Sequence, residues 1–394
     1  MLPYWRLSAY YFFYFAFIGA FSPYFSLYLQ SLEFSAWDIG VLMSLMQAMR
    51  LLAPNLWGWL ADRLGAKTPI VRVAALMSLA GFSGFFFAHG FAGFFICMAL
   101  LAFFWSASLP LVEALTFSHL GSQSGRYGAI RLWGSVGFVV AVLGLGGLLD
   151  RLPPAAMLWV SLALLGGILA CALLLPEKRE ERHETDRRPI GDILRRREVK
   201  ALFVACFLMS AAHGALYVFY SIYLVGHGYS TSLVGLLWTL GVVAEIAVFM
   251  VMPRLLHAFS LRAILLFSFG CAVARFLMIG WGVEWPWLIV LAQLLHAATF
   301  GAYHAASIAT VSRWFAGRHQ ARGQALYGSV SFGAGGMLGG LVSGWAWDAI
   351  GASLTYTLGS AFALAGMIFI WRGWRSSSGD PVRCSAAQGR GPVQ

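Results

Sequence analysis

The sequence predicts an all-α membrane protein with twelve transmembrane helices in two pseudo-symmetric bundles of six. Three observations predict this fold class. The 394 residues are 60% hydrophobic and only 11% charged, with a mean hydropathy of +0.74, and a soluble domain of this length could not bury so much apolar surface. Twelve apolar stretches have roughly the 20 residues that a membrane-spanning helix needs. One long polar segment divides these stretches into two sets of six.

The first half of the chain contains six apolar stretches separated by polar turns or by Gly and Pro breaks. The first stretch has no small-residue cleavage site after a short apolar core, which favours a retained membrane helix over a signal peptide. The predicted spans are 6–30, 36–60, 68–88, 93–117, 127–149 and 154–175. Together they predict an N-terminal bundle over 1–175.

The second half follows a mixed-charge segment, 176–200, whose low hydrophobicity is typical of a solvated linker. We place this linker at 176–198, on the cytoplasmic side. The remaining spans are predicted at 199–225, 232–253, 262–281, 286–312, 324–347 and 353–372, which gives a C-terminal bundle over 199–372. The tail, 373–394, is rich in Ser, Gly and Pro, and this composition predicts disorder.

The distribution of basic residues predicts the orientation in the membrane. One side of the predicted helices receives Arg6, Arg63, Lys67, Arg72, Arg126, Arg254, Arg262, Arg313, Arg318 and Arg322. The short loops on the other side carry a single basic residue, Arg151. Because cytoplasmic loops are enriched in Lys and Arg, both termini are expected in the cytoplasm and the protein in the inner (plasma) membrane. The net charge of +11 is explained by these loops, so we expect no nucleic-acid partner.

The two halves share a short repeat. Gly134-Ser135-Val136-Gly137-Phe138, in the fifth span, recurs about half the chain later as Gly328-Ser329-Val330-Ser331-Phe332, in the eleventh span. Repeated six-helix halves with a binding site between them are typical of secondary transporters.

A glycine-containing basic turn joins the second and third spans. It reads Gly58-Trp59-Leu60-Ala61-Asp62-Arg63-Leu64-Gly65-Ala66-Lys67. It resembles the G-x-L-x-D-R-x-G-x-[RK] signature of the major facilitator superfamily. The resemblance implies a gating motif formed by Gly58, Asp62, Arg63, Gly65 and Lys67, which contacts neighbouring helices in one conformational state.

Within that superfamily, the chain resembles the phenylpropionate permease family over nearly its whole length. The resemblance is carried by Tyr127-Gly128 with Arg131-Leu132-Trp133-Gly134-Ser135-Val136, by the run 109–115 around Glu113, and by the run 241–245 ending at Glu245. It also includes Ala212-His213, Arg275, Leu295-His296 and His304. It implies uptake of a small aromatic carboxylate.

A more distant resemblance extends to the lactose permease family. The acids, arginines and histidine that form the sugar and proton sites of that family correspond here to Glu113, Arg131, Glu245, Arg275 and His296. One position departs from the family pattern. Where lactose permeases carry a proton-linked glutamate, this sequence has Thr299, so that residue cannot couple protons here.

Charged residues deep in the predicted spans are candidate functional residues in their own right, because each must pair or face a cavity. These are Arg50, Arg131, Arg275, Glu113 and Glu245. We expect Glu113 to pair with Arg131 and Glu245 with Arg275, while Arg50 has no obvious partner. The pairs could also be structural links between helices, although buried ion pairs contribute little to stability.

Histidines and aromatic residues in mid-helix complete the candidate site. His213 and Tyr217 share a helical face, and helical spacing places His304 roughly a quarter turn away from the face of His296. We expect substrate binding by Arg131, Arg275, His213, His296, Tyr217, Phe138 and Trp238. We expect proton coupling by Glu113, Glu245 and His304.

Motifs for other chemistries are missing from the sequence. It contains no G-x-x-x-x-G-K-[ST] loop for ATP, and no H-E-x-x-H, G-x-S-x-G or metal-ligand spacing. We therefore expect no catalytic residues, no metal and no cofactor, with a proton gradient as the energy source. The expected partners are a small-molecule substrate, protons and the lipid bilayer, and we expect a monomer.

Two other functions remain open at this stage. A sugar or nucleoside:H⁺ symporter of the same fold is the nearest alternative. A non-transporting membrane sensor is the alternative from another class, and it would bind a ligand without accumulating it.

Overall fold

A computed structural model describes residues 2–178 and 190–374, and all regular secondary structure in these two ranges is helical. Twelve of the described helices are long and apolar enough to cross a membrane. In chain order they are α1 (Tyr4–Ser31), α2 (Ala36–Leu64), α3 (Thr68–Phe86), α4 (Gly90–Leu120), α5 (Tyr127–Leu149), α6 (Ala156–Leu174), α7 (Arg197–Gly226), α8 (Thr231–Ala258), α9 (Leu261–Trp281), α10 (Pro286–Trp314), α11 (Gln320–Ile350) and α12 (Ala352–Gly373).

The predicted fold class is confirmed, and each of the twelve predicted spans coincides with one helix to within a few residues. The predicted linker, 176–198, and the predicted disordered tail, 373–394, lie partly outside the described residues, which do not include 179–189 and 375–394. The predicted domain boundaries stay predictions. A short helix, Gly191–Arg195, lies just before α7.

Local sequence signals explain where several helices begin and end. Ser35, Ser230 and Ser260 each precede a helix, and each hydroxyl accepts a hydrogen bond from the backbone N–H three residues later. This satisfies one of the free N–H groups at the start of α2, α8 and α9. Gly65 ends α2 at φ 63°, a left-handed conformation that favours glycine.

Three of the described helices are irregular in their middle, and all three belong to the second bundle. α7 is interrupted at His213, between Arg197–Ala212 and Gly214–Gly226. α10 contains a π-helical turn at Ala297–Ala302, and α11 contains another at Ser329–Gly335. π-helical turns are rare in proteins, and many of those that occur lie at functional sites.

The bundles α1–α6 and α7–α12 are joined on one side of the membrane. An even number of spans puts both termini on the same side, which we call the near side; the opposite side is the far side. Within 2–178 and 190–374, hydrogen bonds between the two bundles join residues that lie in the half of the molecule toward the far side. Examples are the bonds from Tyr24 to Thr231 and from Ala36 to Asp348. α2 and α11 also touch closely there, since a Cβ on Gly40 would lie 2.7 Å from the Gly344 Cα. This contact region closes the far side.

Candidate functional site

A cavity of about 470 Å³ lies between the two bundles. Its ionisable lining residues come from both bundles: Arg50, Arg131, His213, Glu245, His296 and His304. Its aromatic lining residues are Phe15, Phe17, Phe21, Trp105, Phe138, Tyr217, Trp238, Phe300, Tyr303 and Phe332. Arg50, halfway along α2, is exposed, so solvent reaches this wall of the cavity. The size and the mixture of aromatic and charged groups suit a small organic ligand.

Arg131, near the start of α5, presents its charge to this cavity. Its guanidinium carbon lies 3.8 Å from the centroid of the Phe15 ring and 6.0 Å from that of Tyr11, which are cation–π contacts. The predicted ion pair with Glu113 is not formed. The Glu113 carboxylate instead accepts a hydrogen bond of 3.1 Å from the hydroxyl of Tyr127, which lies one turn before Arg131 on the same helix. Arg131 therefore has ring contacts in place of the expected counter-ion.

Arg275, on α9, is buried behind the cavity wall rather than exposed in it. It is 1% exposed and donates to the Ala292 carbonyl at 2.9 Å, Thr299 Oγ1 at 3.0 Å and Gln293 Oε1 at 3.2 Å. It also donates to His296 Nδ1 at 3.0 Å and to His213 Nε2 at 3.5 Å. The predicted pair with Glu245 is absent, because these neutral acceptors surround the guanidinium.

The hydrogen bonds of Arg275 assign the tautomers of two histidines. A guanidinium only donates, so His296 Nδ1 and His213 Nε2 must both accept, and both rings are neutral. His213 Nδ1 then carries a proton, which it donates to the Met209 carbonyl at 2.8 Å. In His296 the proton sits on Nε2, the nitrogen that faces Glu245.

Glu245, on α8, is the only carboxylate among the cavity-lining residues that the structure describes. Its Oε2 lies 3.7 Å from His296 Nε2, and its side chain is 20% exposed. The imidazole of His296 therefore stands between Glu245 and Arg275. This carboxylate is accessible from the cavity and is close to a proton-bearing nitrogen.

The π-helical turn in α10 aligns three cavity side chains in a column. The rings of His296, Phe300 and His304 stack successively, with centroids 5.3 and 5.8 Å apart. The extra residue in the turn shifts the helical phase by about 100°, so His304 lies on the face of His296. The expected quarter-turn offset of His304 is therefore wrong. His304 Nδ1 also lies 3.0 Å from the Tyr327 hydroxyl.

Of the remaining candidate residues, three line the cavity and Glu113 lies away from it. Phe138, Tyr217 and Trp238 line the cavity, and the Tyr217 ring stacks against both His213 and Trp238. Glu113 does not line it. Phe15, on the cavity wall, and Gln293, beside Arg275, were not predicted from the sequence. Gln293 lies one turn before His296, and this spacing could have indicated it.

No group of three or more His, Cys, Asp or Glu side chains in the described parts of the chain is placed to hold a metal ion.

Comparison with known proteins identifies the family of the protein that forms this cavity. A family model described as the MFS_1 like family matches residues 4–358. The chain belongs to the MFS_1-like family.

The proteins that this MFS_1-like protein resembles are named for different solutes. It is 32% identical to the "probable 3-phenylpropionic acid transporter" of Escherichia coli (strain K12), over 82% of this chain and 86% of that one. It is 28% identical to the maltose permease of Geobacillus stearothermophilus, over 92% of each chain. The crystal structure of the nucleoside transporter NupG superposes with a TM-score of 0.84 at 16% identity, covering 96% of this chain and 100% of that one.

These findings confirm the resemblance to the major facilitator superfamily and to its phenylpropionate branch. The MFS_1-like protein is a multi-pass membrane transporter of small molecules and not an enzyme. The likeness to NupG concerns the fold alone.

The signature turn of this MFS_1-like protein lies on the near side, away from the cavity. Asp62 and Arg63 are exposed, and the Arg63 guanidinium lies 5.4 Å from the centroid of the Trp59 ring. Lys67 Nζ lies 3.5 Å from Ser118 Oγ on α4. A Cβ at Gly58 would meet nothing within 4 Å. In this conformation, closed on the far side, Asp62 remains open to solvent.

Proposed function

We propose that this protein is a secondary active transporter that takes up a small aromatic carboxylate, similar to phenylpropionate, together with a proton. It would act as a monomer in the inner (plasma) membrane, with both termini in the cytoplasm. The energy source would be the proton gradient, without a cofactor.

The observation that carries this proposal is the guanidinium of Arg131, which lines an aromatic cavity and forms no ion pair with a carboxylate in the described parts of the chain. A charge within a membrane-spanning helix is costly unless it pairs or faces a cavity, and a substrate carboxylate would supply the counter-ion. The guanidinium fork matches a carboxylate in a bidentate arrangement. The cavity's ring side chains offer stacking surfaces for an aromatic group.

The surroundings of Glu245 support proton coupling. Its carboxylate lines the cavity, forms no ion pair with an arginine among the described residues, and lies 3.7 Å from Nε2 of the neutral His296. The charge state of such a carboxyl group responds to desolvation and to nearby charge. Arrival of a substrate anion or a change of solvent access would therefore change its proton occupancy. Movement of the two bundles as rigid bodies would then open the site first to one side of the membrane and then to the other.

Uptake into proteoliposomes tests the substrate class. With an acidic outside medium, we expect radiolabelled 3-phenylpropionate to accumulate and unlabelled aromatic acids to compete with it. Maltose and uridine should not compete. Strong uptake of a sugar or nucleoside, with none of the aromatic acid, would overturn the proposal.

A sugar or nucleoside:H⁺ symporter is the second candidate, because the 28% identical relative is named a maltose permease. This alternative predicts that a neutral solute is bound without help from Arg131. Replacing Arg131 with Met should then leave binding of that solute nearly unchanged, whereas our proposal predicts that carboxylate binding weakens about 10- to 100-fold.

A further inference from the structure

The glycine one turn after Arg131 makes room for the arginine side chain. A Cβ on Gly134 would lie 2.8 Å from Arg131 Nη1 and 2.7 Å from Phe15 Cδ2. Both distances are shorter than real Cβ contacts allow. The guanidinium therefore lies in a slot between the backbone of α5 at Gly134 and the Phe15 ring of α1.

We infer that Gly134 and Phe15 are positioning residues that set the specificity of the cavity for a planar anion. The inference rests on the proposed function. The guanidinium carbon of Arg131 lies over the Phe15 ring, 3.8 Å from its centroid. A guanidinium held by an aromatic ring can still offer its N–H groups to a carboxylate in a bidentate arrangement. A side chain held in this way loses less rotamer freedom when the ligand binds. Lysine, with a compact point charge, could not replace arginine in this slot.

Binding of a matched acid and amide to the purified protein tests this inference. The probes are 3-phenylpropionate and 3-phenylpropanamide, which share the ring and differ in charge. In Gly134→Ala, we expect acid binding to weaken about tenfold or more and amide binding to change less than about twofold, because only the acid needs the placed guanidinium. Phe15→Leu should act in the same direction.

Gly144→Ala is the matched control, since Gly144 lies on the same helix and a Cβ there would meet nothing within 4 Å. We expect it to bind both probes as the parent protein does. Equal losses of acid and amide binding in Gly134→Ala and Phe15→Leu, or no loss in either, would overturn the positioning role. If the parent protein binds neither probe, the proposed function fails, and the inference fails with it.

A second inference is carried independently by two aspartates on the far side. Asp150, directly after α5, accepts hydrogen bonds from Thr231 Oγ1 at 2.6 Å, from the Ser232 backbone N–H at 3.1 Å and from the Ser232 hydroxyl. Asp348, near the end of α11, accepts one from the Ala36 backbone N–H at 3.2 Å. Each carboxylate thus caps the first turn of a helix in the opposite bundle.

The two contacts occupy equivalent positions in the repeated halves. α11 is the counterpart of α5, as the repeated Gly-Ser-Val segment indicates, and α2 is the counterpart of α8. Both contacts place a negative charge at a helix N-terminus, where free N–H groups and the helix dipole favour it. We infer that Asp150 and Asp348 form a symmetric pair of latches, and that both must release before the far side opens.

Cysteine labelling from the far side tests the latches. The reporter is Phe21→Cys, on the cavity wall in α1, in a background without the five native cysteines, treated with a membrane-impermeant maleimide. We expect Asp150→Asn and Asp348→Asn each to raise the labelling rate severalfold, and the double variant to raise it further. Glu284→Gln, at an exposed far-side position, should not change the rate.

Two outcomes decide this second inference. A faster rate in the aspartate variants with an unchanged rate in Glu284→Gln supports the latches. An unchanged rate in the double variant, with its unfolding temperature equal to that of the parent protein, would contradict them.

Discussion

Two arginines in the membrane-spanning region have opposite surroundings. Arg275 is 1% exposed and donates to five acceptors, so its charge is distributed over a hydrogen-bond network. Arg131 lines the cavity and contacts aromatic rings. We therefore assign Arg275 to the placement of His213 and His296, and Arg131 to the substrate.

This difference predicts separate effects on stability and binding. Arg275→Met leaves buried acceptors without a donor, so we expect the free energy of unfolding to fall by about 2–4 kcal/mol. Arg131→Met should cost less than about 1 kcal/mol, since it removes only cation–π contacts at a partly exposed site. Thermal unfolding in detergent measures both. Equal losses of stability in the two variants would contradict the distinction.

The sequence could predict which residues lie at the site but not which atoms meet. Charged residues in apolar spans indicated Arg131, Arg275, Glu113 and Glu245, because lipid does not tolerate them. Which side chain each of them contacts depends on the rotation of each helix about its axis and on the depth of each residue in the membrane, and a difference of a few ångströms changes the partner. Tyr127 took the place of Arg131 beside Glu113, and His296 took the place of Arg275 beside Glu245.

At the scale of the element, the contact between the end of α5 and the start of α8 has a defined pH dependence. Hydrogen bonds from Ser232 and Thr231 hold the pKa of Asp150 below its ordinary value of 3.8. The ionised form of Asp150 is therefore favoured while the latch is closed. The stabilisation that Asp150 gives to the closed latch is present above pH 3.8 and is lost as the pH falls below this value. Tyr24 also faces this carboxylate, and its hydroxyl donates to the Val142 carbonyl at 2.8 Å.

We therefore expect far-side labelling of the Phe21→Cys reporter to be independent of Asp150 between neutral and mildly acidic pH. Labelling should rise only below about pH 4, and the rise should be smaller in Asp150→Asn than in the parent protein, because only the Asp348 carboxylate is left to be neutralised. Because maleimide chemistry depends on pH, a free-thiol standard is labelled in parallel. A rise with a midpoint near pH 6 that Asp150→Asn abolishes would contradict the assignment.

The helices themselves could be predicted from apolar length, but their irregular turns could not. The turn at Ala297–Ala302 lies in a stretch whose residues fit an ordinary helix, so periodicity placed His304 off the face of His296. Packing decides such turns, here the column of His296, Phe300 and His304.

At the scale of the whole molecule, the side on which the termini lie is a direct prediction of the basic-residue bias. Leu64→Cys on the near side and Leu152→Cys on the far side are matched reporters, because the native side chains are 58% and 44% exposed. In intact cells, an impermeant maleimide should label only the cysteine at position 152. Labelling of position 64 alone would reverse the orientation.

The overall architecture was the most predictable property of the chain. Hydropathy, the central polar segment and the Gly-Ser-Val repeat together predicted twelve helices in two bundles. The closed far side could not be predicted, since it depends on close contacts such as Gly40 against Gly344 and on the two aspartate caps. A sequence encodes several conformations of a transporter, and the structure describes one of them.

Substrate-dependent proton movement tests the central claim most directly. Proteoliposomes in weakly buffered medium are given 3-phenylpropionate, and the external pH is recorded. Coupled entry of an anion with a proton predicts alkalinisation by the parent protein and none by Glu245→Gln, which should still exchange substrate across the membrane. Substrate entry without alkalinisation, or alkalinisation that persists in Glu245→Gln, would contradict the assignment of Glu245 as the proton carrier.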